Sequence, residues 1–375
     1  MALIATTSAR SLPRADVLIL GAGPAGTIAA LNLAAQYRVL LVDRVAVPAN
    51  RIGESLPPAC RRLLADMGLF EEFLEQAHSP CYGNRAIWGG PLTEHDFLSD
   101  PDGNGWHLDR ARFESWLRCK AVERGAALIA PTDVADVAAT ESGWRAVLVI
   151  GGQTHSVDST VVIDASGRNA VFAKKHGARR QRQDRLISIW CYGADQAALS
   201  DGRSFIEACA EGWWYSAVLP EQRRVLAFHT DSDLPAAKAL RQPGALLRAA
   251  SQLPALGPLL AEAGFSQDSA IKLAAAHSAV LNPGAGINWF AVGDAALSFD
   301  PLSAQGLFNA LYTGLAAAEA SDRALRGDAR ASADYNAELH RIAQAYRHHL
   351  RYWYGQERRW PEAPFWRRRQ ERVSG

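Results

Sequence analysis

Residues 17–43 read V-L-I-L-G-A-G-P-A-G-T-I-A-A-L-N-L-A-A-Q-Y-R-V-L-L-V-D. An apolar run (Val17 to Leu20) leads into Gly21, Gly23 and Gly26 at G-x-G-x-x-G spacing. An Ala/Leu helix follows, and a second apolar run (Val39 to Val42) ends on Asp43. Gly21 makes a tight turn, Gly23 lets the backbone approach a pyrophosphate, and Gly26 lets the helix lie close to the strand. The helix N-terminus, with Pro24 and Ala25 in its first turn, offers unpaired N–H groups and a positive dipole end to phosphate oxygens. Asp43, followed by Arg44, is placed to accept from the ribose hydroxyls of an adenosine half. Strand, turn, helix, strand and terminal acid stand in the right order, so the segment reads as a dinucleotide-binding unit of a Rossmann-like α/β fold.

A second stretch, residues 289–310, reads W-F-A-V-G-D-A-A-L-S-F-D-P-L-S-A-Q-G-L-F-N-A. An apolar strand delivers Gly293 and Asp294, and Asp300-Pro301 with Ser303-Ala304-Gln305-Gly306 opens a helix running to roughly residue 320. This resembles the second flavin fingerprint of the aromatic-hydroxylase type of FAD enzyme. The resemblance implies that Asp294 holds the ribityl chain. It also implies that the helix start, with Pro301, Ser303, Gln305 and Gly306, faces the N1–C2=O edge of the isoalloxazine. Reduced flavin is anionic at that edge, and a helix N-terminus stabilises negative charge. Val161 to Arg168 (V-V-I-D-A-S-G-R) matches the family's D-A-S-G middle motif and brings in Asp164. Arg110, with Phe113 and Leu117 at helical spacing, matches the arginine the family aims at the pyrophosphate. The cofactor expected is therefore FAD.

The chain has 375 residues, 48% of them hydrophobic, enough for two domains with sizeable cores. Its 40 basic and 39 acidic residues leave a net charge of +1, which argues against nucleic acid as a partner. Five cysteines (Cys60, Cys81, Cys119, Cys191, Cys209) form no C-x-x-C and no metal-ligand spacing, so no metal is expected and a reducing compartment fits. The first residues read as a short tail rather than a secretory leader, and no stretch reaches the ~18 apolar residues of a membrane span. A cytoplasmic protein with no membrane partner is expected. The scattered flavin motifs require a discontinuous FAD-binding domain, assigned to residues 15–77, 107–185 and 271–330. Residues 78–106 and 186–270, rich in strand-like alternation, form an inserted antiparallel substrate domain, and residues 331–375 form a C-terminal helical segment.

Gly284-Ala285-Gly286 lacks a third glycine and precedes a strand, so no second nucleotide domain is expected. Arg51-Ile52-Gly53-Glu54-Ser55-Leu56-Pro57-Pro58 resembles the G-E-S segment of flavin-dependent tryptophan halogenases, and places Arg51 and Ser55 with the cofactor. Gly212 to Pro220 (G-W-W-Y-S-A-V-L-P) looks like a degraded halogenase W-x-W-x-I-P signature. Halogenases also carry a lysine downstream of the G-E-S, yet no lysine precedes Lys120 here. Arg85 cannot replace it, because an arginine is not deprotonated in a protein.

The whole pattern best resembles a halogenase-like group of FAD proteins that mature the quinone cofactors of lysine- and glycine-oxidase-type enzymes. The features carrying it include C-Y-G-N-R-A-I-W-G at 81–89, G-W-H-L-D-R at 105–110 and E-R-R-W-P-E-A-P-F-W-R-R-R at 357–369. That resemblance implies hydroxylation of an electron-rich ring through a C4a-hydroperoxyflavin, on a tryptophan of a partner protein, with electrons from a nicotinamide cofactor or a separate flavin reductase. Pro301 and Gln305 would line the ring, Glu54 would either stand beside it or satisfy a helix dipole, and Trp213 and Trp214 would either wall an aromatic pocket or pack the sheet. His107 and His229 are further proton-carrier candidates or structural histidines. A hydroxylase or halogenase of a small indole, and a non-catalytic maturation chaperone, are the competing readings.

Overall fold

The computed structural model describes residues 10–97, 99–197 and 201–371. The N-terminal tail reading over residues 1–9 and the end of the C-terminal segment lie outside the described residues. Strands Ala15–Leu20 and Val39–Val42 pair in parallel, with Val17 opposite Val39 and Leu20 opposite Val42. A parallel pair needs a crossover, and helix Pro24–Leu33 supplies it. This helix is buried on nearly every side rather than amphipathic, because helix Gly306–Leu325 covers the side away from the sheet. Gly314 permits that contact: a Cβ there would stand 2.4 Å from the Ala25 carbonyl oxygen.

The flavin-side sheet runs Ala127–Ile129, Val39–Val42, Ala15–Leu20, Gln153–Asp164, Trp289–Ala291, all parallel. An antiparallel hairpin, Asp133–Thr140 with Gly143–Ile150, extends it along the first half of the long strand. Consequently the C-terminal strand ends bring Gly21, Asp43, Asp164 and Gly293 to one edge, the crevice where open α/β sheets bind ligands.

A second sheet orders Ser266–Gln267, Leu186–Ala194, Arg223–Asp231, Gly212–Leu219, Arg203–Cys209, Gly83–Ile87 and Leu92–Asp96. Residues 272–275, read with the flavin-side segment, pair with Leu186–Ala194 in this second sheet. Ser79–Cys81 and Gly105–His107 lie outside it in a small antiparallel sheet, where Gly105–His107 is the central strand between Ser79–Cys81 and Ser55–Leu56. Helices Pro235–Ala239, Ala245–Ala250 and Leu256–Glu262 cover the outer face through Leu246, Leu256 and Leu260. Across the inner face run helix Ala331–Gln356 and the short helix Pro364–Gln370, which seats Phe365 and Trp366 against Trp213. No described helix is long and apolar enough to cross a membrane. Among the described residues no cluster of His, Cys, Asp or Glu is placed to hold a metal ion.

Candidate active site

The three fingerprint glycines differ in what surrounds them. A Cβ on Gly21, which sits at φ +115°, would lie 2.3 Å from the Ala165 carbonyl oxygen, and one on Gly26 would lie 2.0 Å from that of Gly21. These two positions are closed by the protein itself. At Gly23 the nearest heavy atom to a Cβ is Arg51 Nη2, 3.8 Å away. This leaves the helix start beside Pro24 and Ala25 open, with an arginine over it, a cradle suited to a pyrophosphate.

Arg51, itself about half exposed, is tied to a buried carboxylate and a buried arginine. Its Nε and Nη2 donate to Glu114 Oε1 at 3.1 and 2.7 Å, and Arg110 Nη2 donates to the same oxygen at 2.6 Å. Arg110 Nη1 donates to the Gly53 carbonyl at 2.6 Å, while its buried Nε meets no partner among the described residues. Burial raises the proton affinity of Glu114, but the two arginines outweigh it and hold the carboxyl below its ordinary range. One carboxylate thus serves two guanidinium groups, leaving net positive charge at the cradle.

Sequence reading passed over Glu114 and Arg118. They stand four and eight residues after Arg110 on helix Arg110–Glu123, so all three share one face. Arg118 Nε donates to the Ala22 carbonyl at 2.9 Å, Nη1 to that of Val45 at 2.8 Å, and Nη2 lies 3.2 Å from Asp43 Oδ2. Asp43 also accepts from the N–H groups of Ala22 (2.6 Å) and Val45 (2.7 Å). Arg118 therefore clamps the fingerprint turn to the acid at the end of the next strand. The i, i+4, i+8 spacing R-x-x-x-E-x-x-x-R was the signal available. Arg44 is exposed beside this group.

Asp164 departs from its expected role. Its Oδ1 accepts from Ser166 N–H (3.0 Å) and Ser166 Oγ (2.5 Å), and Oδ2 accepts from Ala173 N–H (2.8 Å). With its side chain fully buried and its lone pairs engaged, it shapes its own turn rather than presenting a carboxylate to a ligand. Asp294, by contrast, keeps a half-exposed carboxylate 3.5 Å from Arg168 Nε. Gly293, at φ +54°, donates to Thr313 Oγ1 at 2.8 Å.

The loop before helix Gly306–Leu325 is braced from below and open above. Asp300 Oδ1 accepts from Leu302 N–H at 2.9 Å, and Ser303 Oγ donates to the Asp300 carbonyl at 2.8 Å. The Asp300 N–H donates to Tyr346 Oη at 2.7 Å, and the Tyr346 ring stacks on Phe299. Pro301 and Gly306 are exposed, Gln305 is half-buried, and a Cβ on Gly306 would meet nothing within 4 Å. The helix thus starts at an exposed glycine, and no side chain caps its first turn. The residues fit FAD: an open phosphate cradle with excess positive charge, a half-exposed Asp294, and a free helix start for the anionic ring edge.

Asp300 also reaches the second sheet. Its Oδ2 accepts from Tyr354 Oη at 2.8 Å, and Tyr354 Oη accepts from Trp213 Nε1 at 3.2 Å. Trp213 stacks flat on His229, ring centroids 3.8 Å apart. Trp214, its neighbour, lies on the opposite face among Phe228 and the outer helices. Successive strand residues point to opposite faces, so only one of the two can face the flavin side. Trp214 therefore does not wall the pocket. Glu54, 1% exposed, accepts from Gly53 N–H at 2.9 Å and from Tyr192 Oη at 2.7 Å, joining the G-E-S segment to the second sheet. Burial raises its carboxyl above the ordinary range. Ser55 is half-buried in the strand opposite His107, and His107 Nε2 shares a 2.9 Å bond with Ser204 Oγ.

Burial, with the nearby Asp184 charge, pushes the Asp300 carboxyl from 3.8 up to about 7. The folded protein thus binds this proton more tightly than the unfolded chain. The associated stability is full below about pH 4 and is lost as pH rises through 7. Asp300→Asn is expected to flatten the fall in melting temperature between about pH 5 and pH 8, measured by thermal unfolding.

Residues 14–348 match the FAD binding domain family, and the chain belongs to it. It is a halogenase-like FAD-dependent oxidoreductase with an aromatic-hydroxylase-type fold. LodB of Marinomonas mediterranea, named as a FAD-dependent oxidoreductase, is 31% identical over 362 residues, covering 94% of this chain and 96% of its own. The flavin-dependent halogenase CmlS superposes at TM-score 0.84 with 25% identity, over 96% of this chain and 68% of its own. The peptidyl tryptophan dihydroxylase QhpG, essential for tryptophylquinone cofactor biogenesis, superposes at 0.76 with 25% identity, over 96% and 79%.

Proposed function

We propose that this flavoenzyme oxygenates the side chain of a tryptophan in a partner protein during quinone cofactor formation, using electrons from a nicotinamide cofactor or a separate flavin reductase. The observation carrying this reading is the aromatic link from Asp300, beside the flavin loop, through Tyr354 to Trp213 and His229 on the inner sheet face. QhpG, of similar fold, is a peptidyl tryptophan dihydroxylase, and that supports the same substrate class. Gly21, Gly23, Pro24, Ala25, Gly26, Asp43, Arg51, Arg110, Gly293, Asp294, Pro301, Ser303, Gln305 and Gly306 would hold FAD. Bound and reduced, FAD supplies the activation of dioxygen.

The protein's own contribution is a dry aromatic wall and a few aimed polar atoms. Ser188 sits directly opposite His229 in the strand pair, and Ser188 Oγ and both His229 ring nitrogens meet no partner among the described residues. Burial lowers His229 to about 3, so its imidazole is neutral at working pH. A neutral imidazole accepts one hydrogen bond, and an indole N–H supplies one. Glu54 is the buried acid able to exchange a proton at Oε1 beside Tyr192. Halogenation fits less well: Arg85 lies on the outer sheet face, ion-paired to Glu94 and Asp201.

The test supplies FAD-loaded protein, NADH, a flavin reductase, chloride and bromide to tryptophan-bearing peptides and to free indoles. Oxygen added to peptide tryptophan, without halogen, is the expected product by mass spectrometry. Halogen insertion, or turnover confined to free indoles, would overturn the proposal.

A further inference from the structure

Two of the exposed aromatic side chains stand together at the end of helix Ala331–Gln356: Tyr352 is 57% and Trp353 41% exposed. They are organised rather than loose. Trp353 Nε1 donates to His349 Nε2 at 2.9 Å, and the Tyr352 and Trp353 rings meet edge to face at 5.3 Å. Arg347, Arg351 and Arg358 lie within six residues of them along the chain, and among the described residues none makes an ion pair; Arg347 and Arg358 donate only to backbone carbonyls. Elsewhere on the surface Arg38, Arg145, Arg185 and Arg326 each face a carboxylate, while exposed Arg44, Arg179, Arg182 and Arg241 form no ion pair among the described residues. Between Glu338 and Glu362 the one acid is Glu357, which is 0% exposed and spent on Arg359 and the Gly89 N–H. In a chain whose net charge is only +1, this stretch thus carries a local excess of basic side chains.

Its position matters. The Trp353 carbonyl accepts from Trp88 Nε1 at 2.7 Å, and the next residue, Tyr354, turns inward to Asp300 and Trp213. The outward patch thus lies one residue from the link to the flavin loop. Trp, Tyr and Arg are the side chains that dominate protein interfaces, and unpaired arginines fit carboxylates in fork geometry.

We propose that Arg351, Tyr352, Trp353 and Arg358 dock an acidic segment of the tryptophan-bearing partner protein, holding it beside the site. This rests on the substrate class proposed above, but its test does not. The FAD-loaded, oxidised protein, without reductant, is titrated with a synthetic peptide carrying one tryptophan among aspartates and glutamates. A second peptide has those acids replaced by their amides, and a third probe is vesicles containing phosphatidylserine. The acidic peptide is expected to bind about tenfold or more tightly than its amide twin, weakening with salt. Arg351→Glu with Arg358→Glu should erase that preference, and Trp353→Ala should weaken binding about tenfold at unchanged FAD content. Equal affinity for both peptides, or a preference surviving the double charge reversal, would overturn the proposal. So would arginine-dependent binding of the vesicles without binding of the peptide. Binding that depends on these charges stands even where no peptide is oxygenated, so the two proposals fail separately.

Discussion

Gly23→Val is expected to fold normally and to lose FAD. The Gly23 backbone is extended (φ −76°, ψ −179°), a conformation any residue adopts, and a Cβ there has 3.8 Å of clearance from Arg51. Folding therefore has little reason to notice the substitution. The branched side chain instead fills the space over the helix start, where phosphate oxygens would approach the backbone. Loss of those contacts should weaken FAD by on the order of 100-fold, roughly 3 kcal/mol. Circular dichroism should match the parent, while added FAD should raise the melting temperature of the parent and not of the variant. Gly26→Ala is the contrasting control: its Cβ would stand 2.0 Å from the Gly21 carbonyl oxygen, so it should damage the fold itself.

Glu114→Gln should be the most costly single change of charge. The amide keeps the shape but removes the carboxylate shared by Arg51 and Arg110, leaving a buried guanidinium uncompensated. Breaking such a pair from one side costs about 3–5 kcal/mol, which should appear as a lower denaturation midpoint in urea. FAD affinity should fall by about 10- to 100-fold as Arg51 and Arg110 lose their aim. The pH dependence has the sign of a depressed acid. Because the folded carboxyl lies below its unfolded value, its contribution is full at neutral pH and disappears as pH falls through the folded value. The parent and the variant should therefore converge in stability under acid.

The βαβ unit at 15–42 was legible because its logic is local: glycine geometry, a helix start and two apolar runs within one short stretch. Asp164 misled for the opposite reason. It came in through its match to the D-A-S-G motif, and only the folded loop shows Ser166 and Ala173 engaging its carboxylate oxygens. The adjacent Trp213 and Trp214 carried half of their own answer. Strand alternation places them on opposite faces, but which one turns inward depends on the helices that cover the outside. Strand Arg203–Cys209 and its parallel pairing with Gly83–Ile87 join segments over a hundred residues apart, which no local pattern encodes. Arg118 was missed although its spacing from Arg110 was visible, because its partners Ala22 and Asp43 lie on another segment.

The central claim is that reduced FAD held at this site delivers oxygen to an aromatic ring walled by the inner sheet face. Following the label from isotopically heavy dioxygen tests it most directly. With FAD-loaded protein, reductase and a tryptophan-bearing peptide, one heavy oxygen atom is expected on the indole ring for each oxygenation, lost in Gly23→Val. Recovery of all the label in hydrogen peroxide and water, with the tryptophan unaltered or halogenated, would contradict it.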